Sequence, residues 1–491
     1  MAHPDVRLGV RGFGPISEAE VDLRPLTVFV GPSNAGKTYL ATLIYALHRA
    51  ADGFASVPRR GEFITQRLGA MDARVADLAI SDARKKLLEV GRPFTCGDLP
   101  EPARAGLRDM LASVVTELEA EIERCFDVDR CSELARAEGP DGGFRVALSL
   151  GEGGRALWDV RMNVPRQGEL QQEGHVHDLV LVPAEATATE RQDLVSGSRE
   201  EPRALFEALI DGAAGKSRER RVRQMPAARS GVVQSHRVIA SSLVARSTRG
   251  RAKGAAEIAT LSGVIADFVQ RLILHDEGKP QSEAIRQLAD ALEHDPIGGE
   301  IRVRRGVPGG YPDFVYRPEG TTHDIRLSRA SAMVTELAPL VLLLRGGIDV
   351  GDTLIIEELE AHLHPAAQTR MADALGRLVR AGVRVVVTTH SDWLLKEVGN
   401  LMRQGDLVGD DPESTATDTT RSWLKEPEVG VWLFGREDAA SGFSVKEIGF
   451  DRTEGVEPDE YEDVAEVLYN RSAELQNRLQ ERSGRRNLHG D

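Results

Sequence analysis

A glycine-rich loop near the N-terminus constrains this chain more than any other feature of its sequence. Residues 31–38 read Gly-Pro-Ser-Asn-Ala-Gly-Lys-Thr and fit the pattern G-x-x-x-x-G-K-[ST]. The loop follows the apolar segment Leu26–Val30 and opens a helical pattern that runs from about Lys37 to Arg49. Strand, loop and helix in this order suit phosphate binding, because backbone N–H groups then surround the anion at the positive end of the helix.

The side chains of this P-loop have distinct expected roles. Lys37 is expected to reach the β- and γ-phosphates, and the hydroxyl of Thr38 is expected to ligate Mg²⁺. The other loop residues are expected to surround the phosphates: Gly31, Pro32, Ser33, Asn34, Ala35 and Gly36. The sequence therefore predicts ATP and Mg²⁺ as ligands.

Acidic residues and a histidine follow two later apolar segments. Thr353–Ile356 is followed by Glu357, predicted to hold the magnesium shell, and by Glu358, predicted to orient or deprotonate the attacking water. Farther on, another apolar strand ends at His390, predicted to sense the γ-phosphate and counted with Lys37 and Glu358 as catalytic. The simpler alternative is that both strands end in solvated polar residues.

A second interpretation of this region is a metal site. Glu358, Glu360, His362 and His364 alternate along the chain, so their side chains point in similar directions, and His and Glu are good zinc ligands. The pattern does not exclude that interpretation.

Length and composition limit the class of protein. A chain of 491 residues predicts two or three structural units. No apolar run approaches the roughly 18 to 20 residues that span a bilayer, and the N-terminus is unlike a signal peptide, so a cytoplasmic location without membrane contact is expected. The three cysteines form no Cys-x-x-Cys pair and predict neither a disulfide framework nor a zinc hook.

Charge is distributed unevenly along the chain. The net charge of −15 argues against a protein that coats nucleic acid with its whole surface. Residues 216–253, however, hold eleven Lys or Arg and one acidic residue, Glu219. This segment could contact DNA or RNA backbone, bind an acidic partner, or form a solvated helical face, and few aromatics are present for base stacking.

Strand and helix patterns predict an α/β fold. Apolar strands alternate with helices over residues 328–400, which predicts a parallel sheet covered on both faces. The predicted organisation is an N-terminal ATPase lobe with the P-loop (1–60), a helical insertion (61–140), a β-hairpin part of that lobe (141–184), a helical and basic insertion (185–298), a C-terminal ATPase lobe (299–450) and a terminal helix with a tail (451–491).

Several motifs together resemble a known family. Gly12–Ile16 and the P-loop with Asn34 are similar to the start of RecF/SMC-type ATPase heads. The segment from Glu357 to Pro365 resembles the Walker B motif and D-loop of the OLD-like AAA family ATPases. Leu327–Leu337 resembles the signature segment of that family, and Pro226–Gly231 resembles its Pro-Ala-x-Arg segment.

The resemblance implies an ABC/SMC-head-type P-loop NTPase with a mixed central sheet, a β subdomain and helical insertions. It implies that ATP lies between the P-loop of one subunit and the signature of another, and hence a homodimer or higher oligomer. Ser331, or alternatively Ser328, would then face the partner's γ-phosphate, and Arg229 would lie near nucleotide. Glu357 stands where most P-loop enzymes have Asp, which is usual in this subgroup.

The chain also differs from OLD-type nucleases and from SMC proteins that tether chromosomes. OLD-type nucleases add a TOPRIM domain with a Glu and a later Asp-x-Asp, which the residues after His390 do not show, so no nuclease activity is expected. The insertions are too short for an SMC coiled-coil arm.

The expected function is the ATPase component of a bacterial anti-phage or DNA-repair system with a separate effector. The alternatives are a nucleotide-gated scaffold with little turnover and, third, a nuclease with an unrecognised site.

Overall fold

Most of the chain is described by the computed structural model. The described residues are 4–51, 53, 81–136, 142–152, 155–166, 171–176, 180–182, 184–196, 220–248, 261–275, 282–304, 312–410, 422–436, 442–453, 455–456 and 469–479.

Strands occur throughout these ranges. In chain order they are β1 Asp5–Phe13, β2 Ile16–Asp22, β3 Leu26–Val30, β4 Phe94–Thr95, β5 Phe144–Glu152, β6 Arg155–Val164, β7 Gln171–Val176, β8 Val180–Val182, β9 Val222–Met225, β10 Gly299–Arg304, β11 Asp313–Pro318, β12 Ile325–Arg326, β13 Thr353–Ile356, β14 Arg384–Thr389, β15 Val429–Gly435 and β16 Phe443–Ile448.

Helices alternate with these strands along the chain. The longer ones are α1 Lys37–Ala50, α2 Glu101–Phe126, α3 Ala188–Ser196, α4 Arg229–Thr248, α5 Gly263–Ile273, α6 Glu283–Leu292, α7 Ala332–Gly346, α8 Pro365–Arg380 and α9 Asp392–Asp410. Within the described ranges, no helix is both long enough and apolar enough to cross a membrane.

A single mixed sheet organises the molecule. Its 11 described strands run in the order β7-β6-β5-β1-β2-β16-β15-β3-β14-β13-β9. Strands β15, β3, β14, β13 and β9 are parallel neighbours, whereas β1, β2, β5, β6 and β7 pair antiparallel. The predicted α/β P-loop fold with a mixed sheet is therefore confirmed.

The burial of each strand follows from its place in the sheet. Every residue of β3, β13 and β14 is buried, as expected for parallel strands covered on both faces. Alternate residues of β3 enter different cores, because successive side chains point to opposite faces. Phe29 packs into the core that contains α1 and α2, while Val28 and Val30 pack into the core that contains α7, α8 and α9.

One strand differs from the expectation for residues 185–298. The sequence predicts a mostly helical, basic insertion there, and within it β9 pairs in parallel with β13, from Val222 opposite Thr353 to Met225 opposite Ile356. This strand is a feature that the sequence analysis did not identify. A four-residue strand with Arg223 and Gln224 at its centre has too short a pattern and too polar a composition to be distinguished locally from helix.

Helix α1 is buried on almost every side. Only Thr38, Tyr39 and Arg49 of its 14 residues are not buried. The helix begins at the P-loop and lies against both the parallel strands and α2. It ends near β13, where the Nε2 of His48 is 3.1 Å from the Oγ1 of Thr353.

His48 predicts acid sensitivity of folding. Burial lowers its pKa to about 3, and the nearby Arg384 acts in the same direction. Because the unfolded chain takes up this proton near pH 6.5 and the folded chain does not, stability falls as pH drops from about 6.5 towards 3. We expect the urea-derived free energy of unfolding of wild type to decline more steeply between pH 7 and 5 than that of His48→Gln, by up to about 1.4 kcal/mol per pH unit.

The exposed His323 gives a matched control for this experiment. His323→Gln is expected to keep the wild-type slope of stability against pH. Equal slopes for wild type and His48→Gln would show that His48 takes up its proton in the folded chain as it does in the unfolded chain, and that the prediction is wrong.

Candidate functional site

The P-loop is held tightly by its two outer glycines. Gly31 and Gly36 have φ angles of 141° and 102°. A Cβ at Gly31 would lie 2.6 Å from the carbonyl oxygen of Phe434, and one at Gly36 would lie 2.7 Å from the Cγ1 of Ile16. Both positions therefore require glycine, because a side chain would be strained in φ and would collide with β15 or β2.

The remaining loop residues divide into an exposed rim and a buried floor. Pro32, Ser33, Asn34 and Thr38 are exposed, and Ala35 is buried behind them. The Thr38 hydroxyl thus lies at the open N-terminal end of α1, where the backbone N–H groups favour an anion such as phosphate.

Lys37 is buried within the loop. Its Nζ donates to the carbonyl oxygens of Gly31 and Pro32, at 2.8 Å each. Burial lowers its pKa to about 8, while Glu360 and Glu358 act in the opposite direction. The ammonium of Lys37 therefore lies close enough to the carboxylates of Glu358 and Glu360 to interact with them. Among the described residues, its hydrogen-bond acceptors are the two neutral carbonyl oxygens.

Glu357 ends the buried strand β13 and is itself 5% exposed. Its Oε1 accepts a hydrogen bond of 2.5 Å from the Nε2 of Gln224. Burial raises its pKa to about 7, against the hydrogen bonds from Gln224 and from the backbone of Ala227. The same Gln224 nitrogen is 3.4 Å from the Oγ1 of Thr42, one turn along α1 from Thr38, so the carboxylate lies against the first turns of α1.

This arrangement suits Mg²⁺. Hydroxyl and carboxylate oxygens are the protein ligands that Mg²⁺ prefers, and Thr38 and Glu357 supply one of each. A cation beside Glu357 would offset the burial that raises its pKa, because an opposite charge favours the ionised carboxylate. The two residues present therefore fit the predicted metal.

Glu358 points to the surface from a constrained backbone. Its φ is 44°, in the left-handed region that costs a residue with a side chain about 1–3 kcal/mol. Its N–H donates to the Oγ1 of Thr388 at 3.0 Å, and its carbonyl accepts from Arg229 at 3.2 Å. These contacts fix the backbone while the carboxylate stays exposed.

Glu360 joins the ends of β13 and β14. Its two carboxylate oxygens accept from the hydroxyl of Thr389 at 2.8 Å and from the backbone N–H of His390 at 2.5 Å. His390 is thereby held beside the P-loop. Burial and the nearby Lys37 lower its pKa, and a backbone hydrogen bond involving Gly31 acts in the opposite direction.

The zinc interpretation finds no support in the described ranges, where no three His, Cys, Asp or Glu side chains are grouped to hold a metal ion. The four candidates have other contacts. Glu360 is engaged by Thr389 and His390, and the Nδ1 of His364 accepts from the N–H of Ala366 and caps α8. The Nε2 of His362 is 3.9 Å from Glu336 on α7.

Arg229 lies behind the site and is 1% exposed. Its Nε is 2.9 Å from the Oε2 of Glu336, and its Nη1 and Nη2 donate to the carbonyl oxygens of Glu357 at 2.6 Å and of Glu358 at 3.2 Å. The family resemblance implies a place for Arg229 near nucleotide. That place stays a prediction. In the structure the guanidinium of Arg229 donates to the backbone carbonyls of the two acidic residues, so we regard Arg229 as a positioning residue.

Both candidate signature serines lie at the surface. Ser331 caps α7, its Oγ accepting from the N–H of Val334 at 3.4 Å, and Ser328 is exposed on the preceding turn. Among the described residues, no hydrogen bond joins either serine to the P-loop of the same chain. The ion pair of Glu336 with Arg229 links their helix to the Walker B end.

Gln224 is the residue that sequence reasoning missed. Gln224 touches Glu357 directly. Its position two residues before the Pro-Ala-x-Arg resemblance at Pro226 was the available signal.

The basic segment 216–253 is only partly described. Lys216, Arg218, Arg249, Arg251 and Lys253 lie outside the described residues. The described side chains of this basic segment do not form a single solvent-exposed helical face. Arg229 is buried in the site, and Arg223 is half-buried with its Nε donating to the carbonyl of Gly347 at 2.9 Å, whereas Arg221 is exposed.

Comparison with known proteins places a family domain over the middle of the chain. Residues 187–396 match the family model described as "AAA domain, putative AbiEii toxin, Type IV TA system". The matched range contains the signature segment, the Walker B end and His390, and the P-loop lies before it. No curated protein matches the chain.

Solved structures of SMC heads are similar at low identity. The SMC head bound to the C-winged helix domain of ScpA has 13% identity and a TM-score of 0.40, covering 92% of this chain and 99% of that one. The SMC head domain from Thermotoga maritima has 12% identity and a TM-score of 0.35, covering 91% and 99%. The fold assignment rests on the sheet and the P-loop described above. The match over residues 187–396 supports the AAA-family resemblance, and the sheet with its P-loop shows that this chain has a P-loop NTPase fold.

Proposed function

We propose that this protein binds and hydrolyses ATP and that ATP joins two copies of it as a switch. The observation that carries the proposal is the grouping of Lys37, Glu357, Glu358 and His390 at the carboxyl ends of β3, β13 and β14, with Ser331 on a separate exposed surface. Such a site has the groups for phosphate binding and water activation on one subunit, and among the described residues no hydrogen bond joins it to the signature serines of the same subunit.

Each residue has a defined part in the proposed reaction. The P-loop N–H groups and Lys37 bind the phosphates, with Lys37 exchanging its two loop carbonyls for phosphate oxygens. Thr38 and Glu357 would hold Mg²⁺, which neutralises charge on the β- and γ-phosphate oxygens. Glu358 orients or deprotonates the water, and His390 contacts the γ-phosphate side of the site.

Exposure of the key groups favours a two-subunit site. Ser33 and Asn34 on the P-loop rim, the carboxylate of Glu358 and Ser331 at the N-terminus of α7 are all exposed in one chain. A helix N-terminus with a capping serine is suited to a phosphate group. Binding of the partner's γ-phosphate there would make the assembled state depend on ATP, so that hydrolysis releases it.

The biological role proposed is that of an ATPase component acting with a separate effector in a bacterial anti-phage or DNA-repair system. The description of the matched family as a toxin domain of a "Type IV TA system" supports a defence role over general metabolism. The nucleotide-gated scaffold is the competing proposal, and the two differ in whether turnover depends on Glu358.

The test is the mass of the purified protein in solution with and without ATP and Mg²⁺. We expect Glu358→Gln to double in mass when both are added, because nucleotide is then bound and retained. Lys37→Ala should stay at the mass it has without nucleotide.

An ATP-dependent doubling that persists in Lys37→Ala would show that the P-loop does not govern association. A mass unaffected by ATP in Glu358→Gln would replace the switch with a constitutive assembly or a monomer.

A further inference from the structure

A second polar cavity lies at the opposite end of the parallel strands from the P-loop. It has a volume of about 260 Å³ between α1, α5, the start of β9 and the end of α7. The nucleotide site occupies the carboxyl ends of β3 and β13, whereas Arg221 and Arg223 mark the amino end of β9. A four-residue strand separates the two ends by about 13 Å at ~3.3 Å per residue, so the cavity is distinct from the nucleotide site.

Arginines dominate the lining of this cavity, which we name the arginine pocket. Its charged lining residues are Arg49, Arg221, Arg223, Arg271 and Asp267. Four guanidinium groups thus share one cavity with a single carboxylate. Proteins seldom gather like charges in a confined space unless a counter-ion is bound there or lies nearby.

Asp267, the one carboxylate in the lining, already accepts hydrogen bonds from residues other than the four lining arginines. Asp267 accepts from both terminal nitrogens of Arg124, at 3.1 and 2.8 Å, and from the hydroxyl of Tyr45 at 2.5 Å. The negative charge of Asp267 is therefore shared first with Arg124, which is not among the residues that line the pocket. It offsets little of the charge on the four lining arginines.

The two inner arginines donate to neutral acceptors. Arg223 donates to the carbonyl oxygens of Gly347 at 2.9 Å and of Val222 at 3.1 Å. Arg271 donates to the hydroxyl of Tyr45 at 2.9 Å, and its buried Nη1 has no hydrogen-bond partner among the described residues. Burial, followed by the like charge of Arg271, lowers the pKa of Arg223 to about 10. These contacts position the guanidinium groups without neutralising them.

Two further carboxylates lie nearby and offset part of this charge. Glu121 is 3.7 Å from the Nε of Arg49, but it also pairs with Arg124 at 2.8 Å. Asp352 accepts from the backbone N–H groups of Arg221 and Asp349, at 2.8 and 2.9 Å. Glu121 is thus shared between Arg49 and Arg124, and the charge of Asp352 acts on Arg221 and Arg223. With Arg124 counted, five arginines face the three carboxylates Glu121, Asp267 and Asp352, so the arginine pocket retains an excess of positive charge.

We propose that the arginine pocket is a second anion site that binds phosphate groups, independently of the P-loop. Several guanidinium groups around a small volume match a multiply charged anion with several acceptor oxygens better than a single carboxylate. The volume is below the roughly 300 to 1,000 Å³ of sites for whole drug-sized ligands, so the pocket takes the phosphate part of its ligand. That phosphate comes either from a small phosphorylated molecule or from a nucleic-acid backbone.

Calorimetric titration of pyrophosphate into the full chain tests the proposal, with saturating ADP and Mg²⁺ present to occupy the P-loop. We expect wild type to bind pyrophosphate under these conditions. Arg271→Gln should weaken that binding about tenfold or more, because charge-assisted hydrogen bonds of ~1.5–3 kcal/mol are lost. ADP affinity should be unchanged, since the P-loop is not altered.

Two further variants guard against misfolding and general charge effects. Arg49→Glu changes an exposed side chain at the pocket mouth and should weaken binding without disturbing the fold. Arg145→Gln removes an exposed arginine on β5, outside the pocket, and should bind pyrophosphate as wild type does. Equal pyrophosphate binding by wild type, Arg271→Gln and Arg49→Glu, or no binding by wild type, would overturn the proposal.

A short DNA duplex in place of pyrophosphate distinguishes the two sources of phosphate. If the pocket holds backbone phosphate, Arg49→Glu should weaken DNA binding and reduce the slope of log affinity against log salt by about 0.9 for each phosphate that is no longer neutralised. If the pocket variants lose pyrophosphate binding and bind DNA as wild type does, the ligand is a small phosphorylated molecule.

Discussion

Glu358→Gln is expected to lower the rate of ATP hydrolysis by at least about 100-fold, because a positioned general base contributes ~10²–10⁴ in rate. The amide keeps the size of the side chain and its backbone contacts with Thr388 and Arg229, but it cannot accept a proton from water. ATP affinity should stay within about threefold of wild type, since the P-loop residues that bind the phosphates are unchanged. Steady-state phosphate release and equilibrium ATP titration measure the two quantities separately.

Glu20→Gln is the matched control for this substitution. Glu20 is an exposed glutamate on β2, and its replacement should leave the hydrolysis rate unchanged. If wild type turns over measurably and Glu358→Gln hydrolyses at the same rate, Glu358 is not the base. If wild type itself has negligible turnover, the nucleotide-gated scaffold is favoured.

Arg229→Met is expected to be the most destabilising single change in the site. It leaves the carboxylate of Glu336 buried at 1% exposure without its ion-pair partner, which costs about 3–5 kcal/mol. It also removes the donors to the carbonyl oxygens of Glu357 and Glu358, so the end of β13 loses its fixed position. Urea unfolding should show the loss of stability, and phosphate release should show a fall in rate beyond that explained by unfolded protein.

The double variant Arg229→Met with Glu336→Met separates these two effects. Removing both charges should restore much of the stability, because two apolar side chains replace a buried ion pair. Hydrolysis should stay impaired, since no donor to the two carbonyls is regained. Recovery of both stability and activity would mean that Arg229 acts only through Glu336 and has no positioning role for Glu358.

Local patterns allowed much of this fold to be predicted. The P-loop, strands β3, β13 and β14, and helix α1 follow from short contiguous stretches with strong apolar periodicity. The parallel part of the sheet and the placement of Glu357, Glu358 and His390 at neighbouring strand ends follow from the same stretches, because the carboxyl ends of parallel strands meet at one edge. The mixed character of the sheet was implied by the family resemblance.

The remaining features depend on contacts between distant parts of the chain. Gln224 touches Glu357 across 133 residues of sequence, and Arg229 reaches the carbonyl of Glu357 across 128. Nothing in the local pattern around β9 distinguishes a sheet strand from the surrounding helices. Arg223 and Arg271 likewise share a pocket only because α5 packs beside the start of β9. Sequence alone gives the residue types at these positions but not the partners that define their roles.

Helix α1 has so little exposed surface that almost none of its residues can be substituted without an effect on stability or function. Eleven of its 14 residues are buried, among them Lys37 and His48. Of the rest, Thr38 carries the hydroxyl predicted to ligate Mg²⁺, and Arg49 lines the arginine pocket. Tyr39, which packs at its ring edge against Phe13, is left as the site with the most freedom to vary. Random mutation should therefore be tolerated less in this helix than in almost any stretch of equal length, and a library spread over the protein should recover few functional variants within it.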